Sequence, residues 1–264
     1  MQREFQLDPR GGHNRYNCNF DFFKKWSGKM AYVLGFLYAD GDVEDADISS
    51  RTQYIKFANK DREIIEKIKT LLESEHPIHF RPPHTSLDKN GHIYRSSRSF
   101  YLRIGSKRMF ADLRKFGLIP NKSKVLKFPS LPLKYLSHFL RGYFDGDGTI
   151  YLEQRRGIKQ KLIFKRANTI FSCGSRIFLK DLSNILGRVL NVRKAKIYKG
   201  HGDFQIAYFT RDSVKIFKFM YKNSSGLFLK RKFNNFKKFF KMRNKWLDRE
   251  VVEILDENEK FLAR

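Results

Sequence analysis

Cysteine is scarce in this 264-residue chain. Cys18 and Cys173 are the only two, neither belongs to a CxxC or Cys/His cluster, and so neither a disulfide framework nor a zinc site is expected; Cys173 reads as a small buried residue. No run of 18 apolar residues occurs, which excludes a membrane-spanning helix, and the opening Met1-Gln2-Arg3-Glu4-Phe5 lacks the apolar core of a secretory signal. An intracellular protein is therefore expected, with bacterial cytoplasm and organellar matrix fitting equally. Acid is also in short supply: 27 Asp and Glu stand against 54 Lys and Arg, a net charge of +27. That excess goes far beyond what solubility requires and points to a polyanionic partner. A disordered polycation is excluded by the 26 Phe and 12 Tyr and by the 41% hydrophobic content, enough to bury a core.

What the chain does contain is one statement made twice. Val33-Leu34-Gly35-Phe36-Leu37-Tyr38-Ala39-Asp40-Gly41 and Leu140-Arg141-Gly142-Tyr143-Phe144-Asp145-Gly146-Asp147-Gly148 share their glycine and aspartate offsets. Each reads as an apolar helix with small residues four apart, Gly35 and Ala39 or Gly142 and Gly146, where another backbone can approach closely. Each ends in Asp-Gly, and glycine is favoured just past a helix C-terminus. A carboxylate at that end opposes the helix dipole and costs up to about 1 kcal/mol. Two such carboxylates on packed helices repel unless a cation lies between them, and hard divalent ions bind through one or two carboxylates, water and phosphate oxygens. A single copy would read as a turn dipeptide after a buried helix; two matched copies read as a metal site built to receive phosphate.

The repeat extends beyond the motifs. After the first come a polar hairpin over 42–58, a helix with Ile64, Ile65, Ile68, Leu71 and Leu72, strands near 77–84 and 92–104, and a helix over 106–116 stopped by Gly117 and Pro120. After the second come strands near 149–156 and 161–173, a helix over 175–190, strands near 193–199 and 203–209, and a helix over 211–223. Both exits are alike, Gly117-Leu118 before Lys122-Ser123-Lys124 and Gly226-Leu227 before Lys230-Arg231-Lys232. The expected class is α+β, two pseudo-symmetric αββαββα halves packed through the motif helices, each half carrying a curved antiparallel sheet. The boundaries are an N-terminal arm 1–26, a first half 27–119, a linker 120–132, a second half 133–240 and a helical extension 241–264.

At this point the chain resembles the LAGLIDADG homing endonucleases in their single-chain, two-repeat form, over roughly residues 27 to 240. The resemblance implies a site-specific, double-stranded DNA endonuclease, a mobile intron-homing enzyme acting as a monomer without an obligate protein partner. Its target is implied to span about 20 base pairs or more, a helical turn for each half, and its cuts to leave short 3′ overhangs. It implies Mg²⁺, with Mn²⁺ or Ca²⁺ able to substitute in binding, held by Asp40 and Asp147 with the carbonyls of Ala39 and Gly146. It implies catalytic help from Lys122 and Lys230, although any one lysine in so basic a chain can equally be a phosphate contact or a solvated charge. Asn59 matches the residue that positions the attacking water; the second half offers only Ser172-Cys173-Gly174-Ser175 there. Tyr38 and Arg141 depart from the name-giving pattern at positions that carry no metal. An intron RNA maturase or a catalytically silent DNA-binding protein is the alternative, an intein being disfavoured by chain ends that show no splicing residues.

Recognition is expected from the strands, since a two-stranded ribbon fits the major groove. The candidates are Arg51, Gln53, Lys56, Arg95, Arg98 and Arg103 in the first half, and Arg155, Lys159, Lys161, Arg166, Arg193, Lys194, Lys196 and Lys199 in the second. Strand alternation turns half of these away from any groove. Asp42, Glu44, Asp45 and Asp47 have no acidic counterparts in the second half; they read as a solvated loop facing away from DNA, or as acceptors for cytosine, and either way the target is expected to be non-palindromic. Arg3, Arg10, Arg15, Lys24 and Lys25 suggest an arm across the DNA backbone or a disordered leader. A basic helix over 237–249 is expected to run on into an acidic amphipathic stretch.

Overall fold

The computed structural model describes residues 16–46, 52–87, 91, 93–156, 162–200 and 202–262. Within them α1 (Gly28–Asp40) leads into β1 (Gly41–Ala46), β2 (Thr52–Asn59), α2 (Arg62–Leu71), β3 (Ile78–Arg81), β4 (His84–Leu87), β5 (Ile93–Ser96), β6 (Ser99–Gly105) and α3 (Lys107–Lys115). The second copy is α4 (Leu136–Asp147), β7 (Gly148–Arg156), β8 (Leu162–Cys173), α5 (Arg176–Leu190), β9 (Ile197–Lys199), β10 (Phe204–Tyr208) and α6 (Thr210–Tyr221), followed by α7 (Lys230–Met242) and α8 (Arg249–Leu262). The order is αββαββα twice, and the two four-stranded antiparallel sheets repeat one topology, β1-β2-β6-β3 and β7-β8-β10-β9. No described helix is long and apolar enough to cross a membrane.

By contact the chain forms two compact units, Met1–Trp26 with Asp40–Asn121, and Ser27–Ala39 with Lys122–Arg264. In the first unit α2 turns Ile64, Ile65 and Ile68, at helical spacing, onto a sheet face carrying Ile55, Phe57, Leu102 and Ile104. Ser106 caps α3 by accepting from the Met109 amide at 3.1 Å. The strand expected over 92–104 is interrupted at 97–98, because β4 and β5 form a separate two-stranded ribbon. Residues 16–26 are no free arm: the Asn17 amide donates to Glu75 Oε2 at 3.1 Å, the Asn19 amide donates to the Leu72 carbonyl at 2.8 Å, and Phe23 is buried. Arg3, Arg10 and Arg15 lie outside the described residues.

The second unit uses the chain's phenylalanines. Phe217 on α6 meets Phe233, Phe236 and Phe240 of α7 at centroid distances of 6.2, 5.1 and 4.8 Å, and Phe144 of α4 meets Phe171 of β8 at 5.8 Å. The helix expected over 237–249 instead ends at Met242; Asp248 accepts from the Val251 amide at 3.0 Å and starts α8 anew. Fully buried Asn258 ties α8 back by donating to the carbonyl of Tyr221 at 3.0 Å.

The two motif helices meet backbone to backbone. A Cβ on Gly35 would stand 2.1 Å from the carbonyl oxygen of Phe139, and one on Gly142 would stand 2.0 Å from that of Tyr32. Neither neighbour is a side chain that can swing aside. Gly35→Ala and Gly142→Ala are each expected to destabilise the protein by about 3 kcal/mol or more, the upper range for overpacking, as measured by urea denaturation. A loss under about 1 kcal/mol would show that the helices can separate freely.

Candidate functional site

Asp40 closes α1 and the ladder of β1 opens at the next residue, so the carboxylate sits at a helix-to-strand junction beside β2. Buried Asn59, the last residue of β2, donates from Nδ2 to Asp40 Oδ2 at 2.7 Å and accepts from the Asp61 amide through Oδ1 at 3.0 Å. The backbone amide can only meet the oxygen of the Asn59 side chain, which fixes the NH₂ toward Asp40. One strand end thus orients the motif carboxylate of the first unit.

Asp147 ends α4 in the same way, before β7. Register now identifies the counterpart of Asn59. Gly41 pairs with Phe57 and Gly148 with Phe171, so two residues on Asn59 corresponds to Cys173. The Cys173 thiol is buried and pushed above its ordinary pKa, first by desolvation and with a smaller push from Asp147, which Lys122 opposes. Lys122 is itself buried, in a 3₁₀ turn that passes so close to the end of β8 that a Cβ on Gly174 would stand 2.6 Å from the Ser123 carbonyl oxygen.

Lys230 is exposed at the first turn of α7. The buried ammonium belongs to Lys232, which sequence reasoning missed: its Nζ donates to the carbonyls of Phe144 at 2.6 Å, Asp145 at 2.8 Å and Gly146 at 2.9 Å. The misfit of a carboxylate at a helix C-terminus is thereby met in part from within the chain, because a lysine supplies the cation that the C-terminal carbonyls of α4 favour. Two more buried charges follow the same rule. Asp145 accepts from the Leu229 amide at 2.9 Å, at the N-terminus of α7, and from the Tyr32 hydroxyl at 2.7 Å. Burial pushes the Asp145 carboxyl up; Lys232, Tyr32, Leu229 and Arg141 pull it back. Arg141, fully buried where the motif's pattern has alanine, donates to the carbonyl of Met220 at 2.5 Å in the last turn of α6 and to that of Leu227 at 2.8 Å. The only sequence signal for this network was the oddity of Arg141 inside an apolar helix.

The model of the LAGLIDADG-like domain matches residues 27–115 and again 134–220. The chain belongs to this family. Both LAGLIDADG repeats lie in one chain, and their fold is that of solved two-repeat homing endonucleases. The meganuclease I-SmaMI bound to uncleaveable DNA is 13% identical, with 87% of this chain and 96% of that one covered and a TM-score of 0.53. The homing endonuclease I-WcaI bound to its DNA recognition sequence is 14% identical, with 80% and 88% covered and a TM-score of 0.52. I-LtrWI bound to target DNA is 13% identical, with 92% and 98% covered and a TM-score of 0.50. A probable translation initiation factor IF-2 of Thermococcus kodakarensis is 29% identical over 174 residues, 64% of this chain; the chain spans 12% of that protein's length.

Among the described residues no group of three or more His, Cys, Asp or Glu side chains is arranged to hold a metal ion, so a cation at either LAGLIDADG acid would draw on carbonyls, water or phosphate beside it. Carboxylate, carbonyl and water oxygens are the donors that suit a hard divalent ion. On the sheets, alternation divides the candidate DNA contacts. Lys56 and Arg103 are cross-strand partners on the face opposite the core, whereas Gln53 lies on the core side and donates to Asp45 at 3.2 Å. Arg155 and Arg166 lie on the corresponding open face of the second sheet, Arg95 and Arg98 at the β4–β5 ribbon, and Lys196 and Lys199 beside and on edge strand β9, after the exposed loop residues Arg193 and Lys194. Arg51, Lys159, Lys161 and Asp47 lie outside the described residues. The acidic segment is paired strand where a solvated loop was expected: Gly41–Ala46 pairs with β2, and Glu44 holds Arg103 at 2.5 Å across the open face.

Lys232→Met should cost about 2–4 kcal/mol, since a charge-assisted bond is worth about 1.5–3 kcal/mol and three buried carbonyls lose their donor, while Lys230→Met should stay within about 0.5 kcal/mol. Equal effects in thermal denaturation would remove the capping role. His138 Nδ1 lies 3.0 Å from Arg141 Nη2 and must accept, and burial with the Arg141 charge lowers its pKa from 6.5 to about 4. The unfolded chain binds this proton first, so stability should fall as pH drops from about 6.5 toward about 4. Denaturation midpoints measured across that window should flatten in His138→Gln; an unchanged slope would exclude His138 as the source.

Proposed function

We propose that the protein is a monomeric, site-specific endonuclease that hydrolyses both strands of a long, asymmetric DNA duplex and leaves short 3′ overhangs. The observation that carries this reading is the reciprocal Gly35 and Gly142 contact, which pairs two helices that each run into an aspartate at the foot of a basic-faced sheet. Membership of the LAGLIDADG family supports it.

In this reading Asp40 and Asp147, with the Ala39 and Gly146 carbonyls, hold Mg²⁺, and Mn²⁺ or Ca²⁺ substitutes in binding. A divalent ion bound there supplies Lewis acidity toward a phosphodiester oxygen and compensates the carboxylate charge. Asn59 holds the Asp40 carboxylate in one orientation and offers its amide to a water beside it. Lys122 supplies positive charge to the phosphate at the Asp147 site, Lys232 fixes the end of α4 that carries Asp147, and exposed Lys230 contacts the DNA backbone. The exposed arginines and lysines on the sheets grip phosphate and read base edges.

The test is incubation with a randomised duplex library in Mg²⁺ and separately in Ca²⁺, with sequencing of cut and of bound molecules. A single long site cut in Mg²⁺ and only bound in Ca²⁺ is expected. Asp40→Asn and Asp147→Asn should each abolish double-strand cleavage while keeping specific affinity within about tenfold, because base and phosphate contacts lie on the sheets. Affinity should also fall steeply with salt. Binding without cutting by the unaltered protein would favour the silent DNA binder, and enrichment of intron RNA alone would favour the maturase.

A further inference from the structure

The open faces of the two sheets can be compared position by position, because β1-β2-β6 and β7-β8-β10 share one register. Glu44 pairs with Tyr54 and Tyr151 with Asn168; Lys56 pairs with Arg103 and Ile170 with Ala207. The trio Glu44, Tyr54 and Arg103 therefore corresponds to Tyr151, Asn168 and Ala207. In the first sheet the trio is a built device. The Arg103 guanidinium lies 3.5 Å from the Tyr54 ring centroid and its Nη2 lies 2.5 Å from Glu44 Oε2, at a groove that Lys56 and Tyr101 also line. An exposed ion pair of this kind adds little stability. Its effect is to hold the fork of an otherwise flexible side chain, with the remaining N–H donors unpartnered among the described residues.

Resting on the DNA-binding reading above, we infer that Arg103, held by Glu44 and Tyr54, reads a guanine in the half-site on the first sheet, and that the same position of the other half-site is an A·T pair. A guanidinium fork matches guanine O6 and N7 bidentately, and holding it in advance removes most of the ordering cost of that contact. The second sheet carries no charge at the three equivalent positions. Asn168 is half-buried with its Oδ1 out of reach of a base, so it offers no guanine fork, and the methyl of Ala207 suits a thymine methyl. B-form DNA is the partner these side chains fit, since the deep, narrow major groove of A-form RNA is closed to them.

The experiment is selection of bound duplexes from a randomised library in Ca²⁺, which requires no cleavage, for the unaltered protein, Arg103→Ala, Glu44→Ala and the double variant Tyr151→Glu, Ala207→Arg, each first checked for an unchanged melting transition. In the unaltered protein one position of one half-site should favour guanine by about fivefold to hundredfold, and its mirror position should favour A·T. Arg103→Ala should erase the guanine preference at that position alone, Glu44→Ala should weaken it, and the double variant should introduce guanine at the mirror position. An identical base profile in Arg103→Ala, or a G·C preference at the mirror position, overturns the inference. If the unaltered protein enriches no duplex sequence, or RNA instead, the DNA-binding reading has failed and this inference falls with it.

Discussion

Two peptide backbones in contact set the terms for the rest of this molecule. Where Gly35 meets Phe139 and Gly142 meets Tyr32 there is no room for a methyl group, so the motif helices approach as closely as helices can. The contact has direct consequences in sequence. Residues Met30 to Tyr38 of α1 are buried without a break, which is why this helix is apolar all round and lacks the one-sided pattern of a surface helix. It also explains why α1 belongs by contact with the second unit although the chain after it builds the first.

Tight helix packing leaves helix ends inside the protein, and buried ends need partners. The second unit supplies them with charge of the sign the dipoles favour: Asp145 at the start of α7, Lys232 at the end of α4 and Arg141 at the end of α6. Isolated buried charges would be costly, but each of these meets backbone groups that would otherwise be orphaned. The network lies directly behind Asp147, so the position of the candidate catalytic acid depends on α7 as much as on α4. An asparagine at the end of β2 does the corresponding work for Asp40.

Duplication makes the halves comparable, and their differences carry information. Asn59 faces its acid in one half where Cys173 stands in the other, and a charged trio on one sheet corresponds to a neutral trio on the other. The polypeptide keeps one architecture while the side chains that face outward or flank the acids diverge. Such a scaffold suits recognition of an asymmetric partner, since each half offers its own set of donors and acceptors along the same sheet.

The sequence by itself determined the doubled αββαββα plan, the glycine stripe and the two terminal aspartates, because these are written in local periodicity and in small residues at fixed offsets. The family resemblance singled out Asn59, which the structure places at the end of β2. Tertiary structure alone decided that Lys232 and not Lys230 is the buried lysine, since only the packing of α7 on α4 distinguishes two lysines within one helical turn. It likewise decided that Arg141 is a cap, that Cys173 is the counterpart of Asn59, and that Glu44 holds Arg103 across a paired strand. Each of these depends on strand register or on helix ends meeting far apart in sequence, and neither is encoded in the local pattern of residues from which the fold was legible.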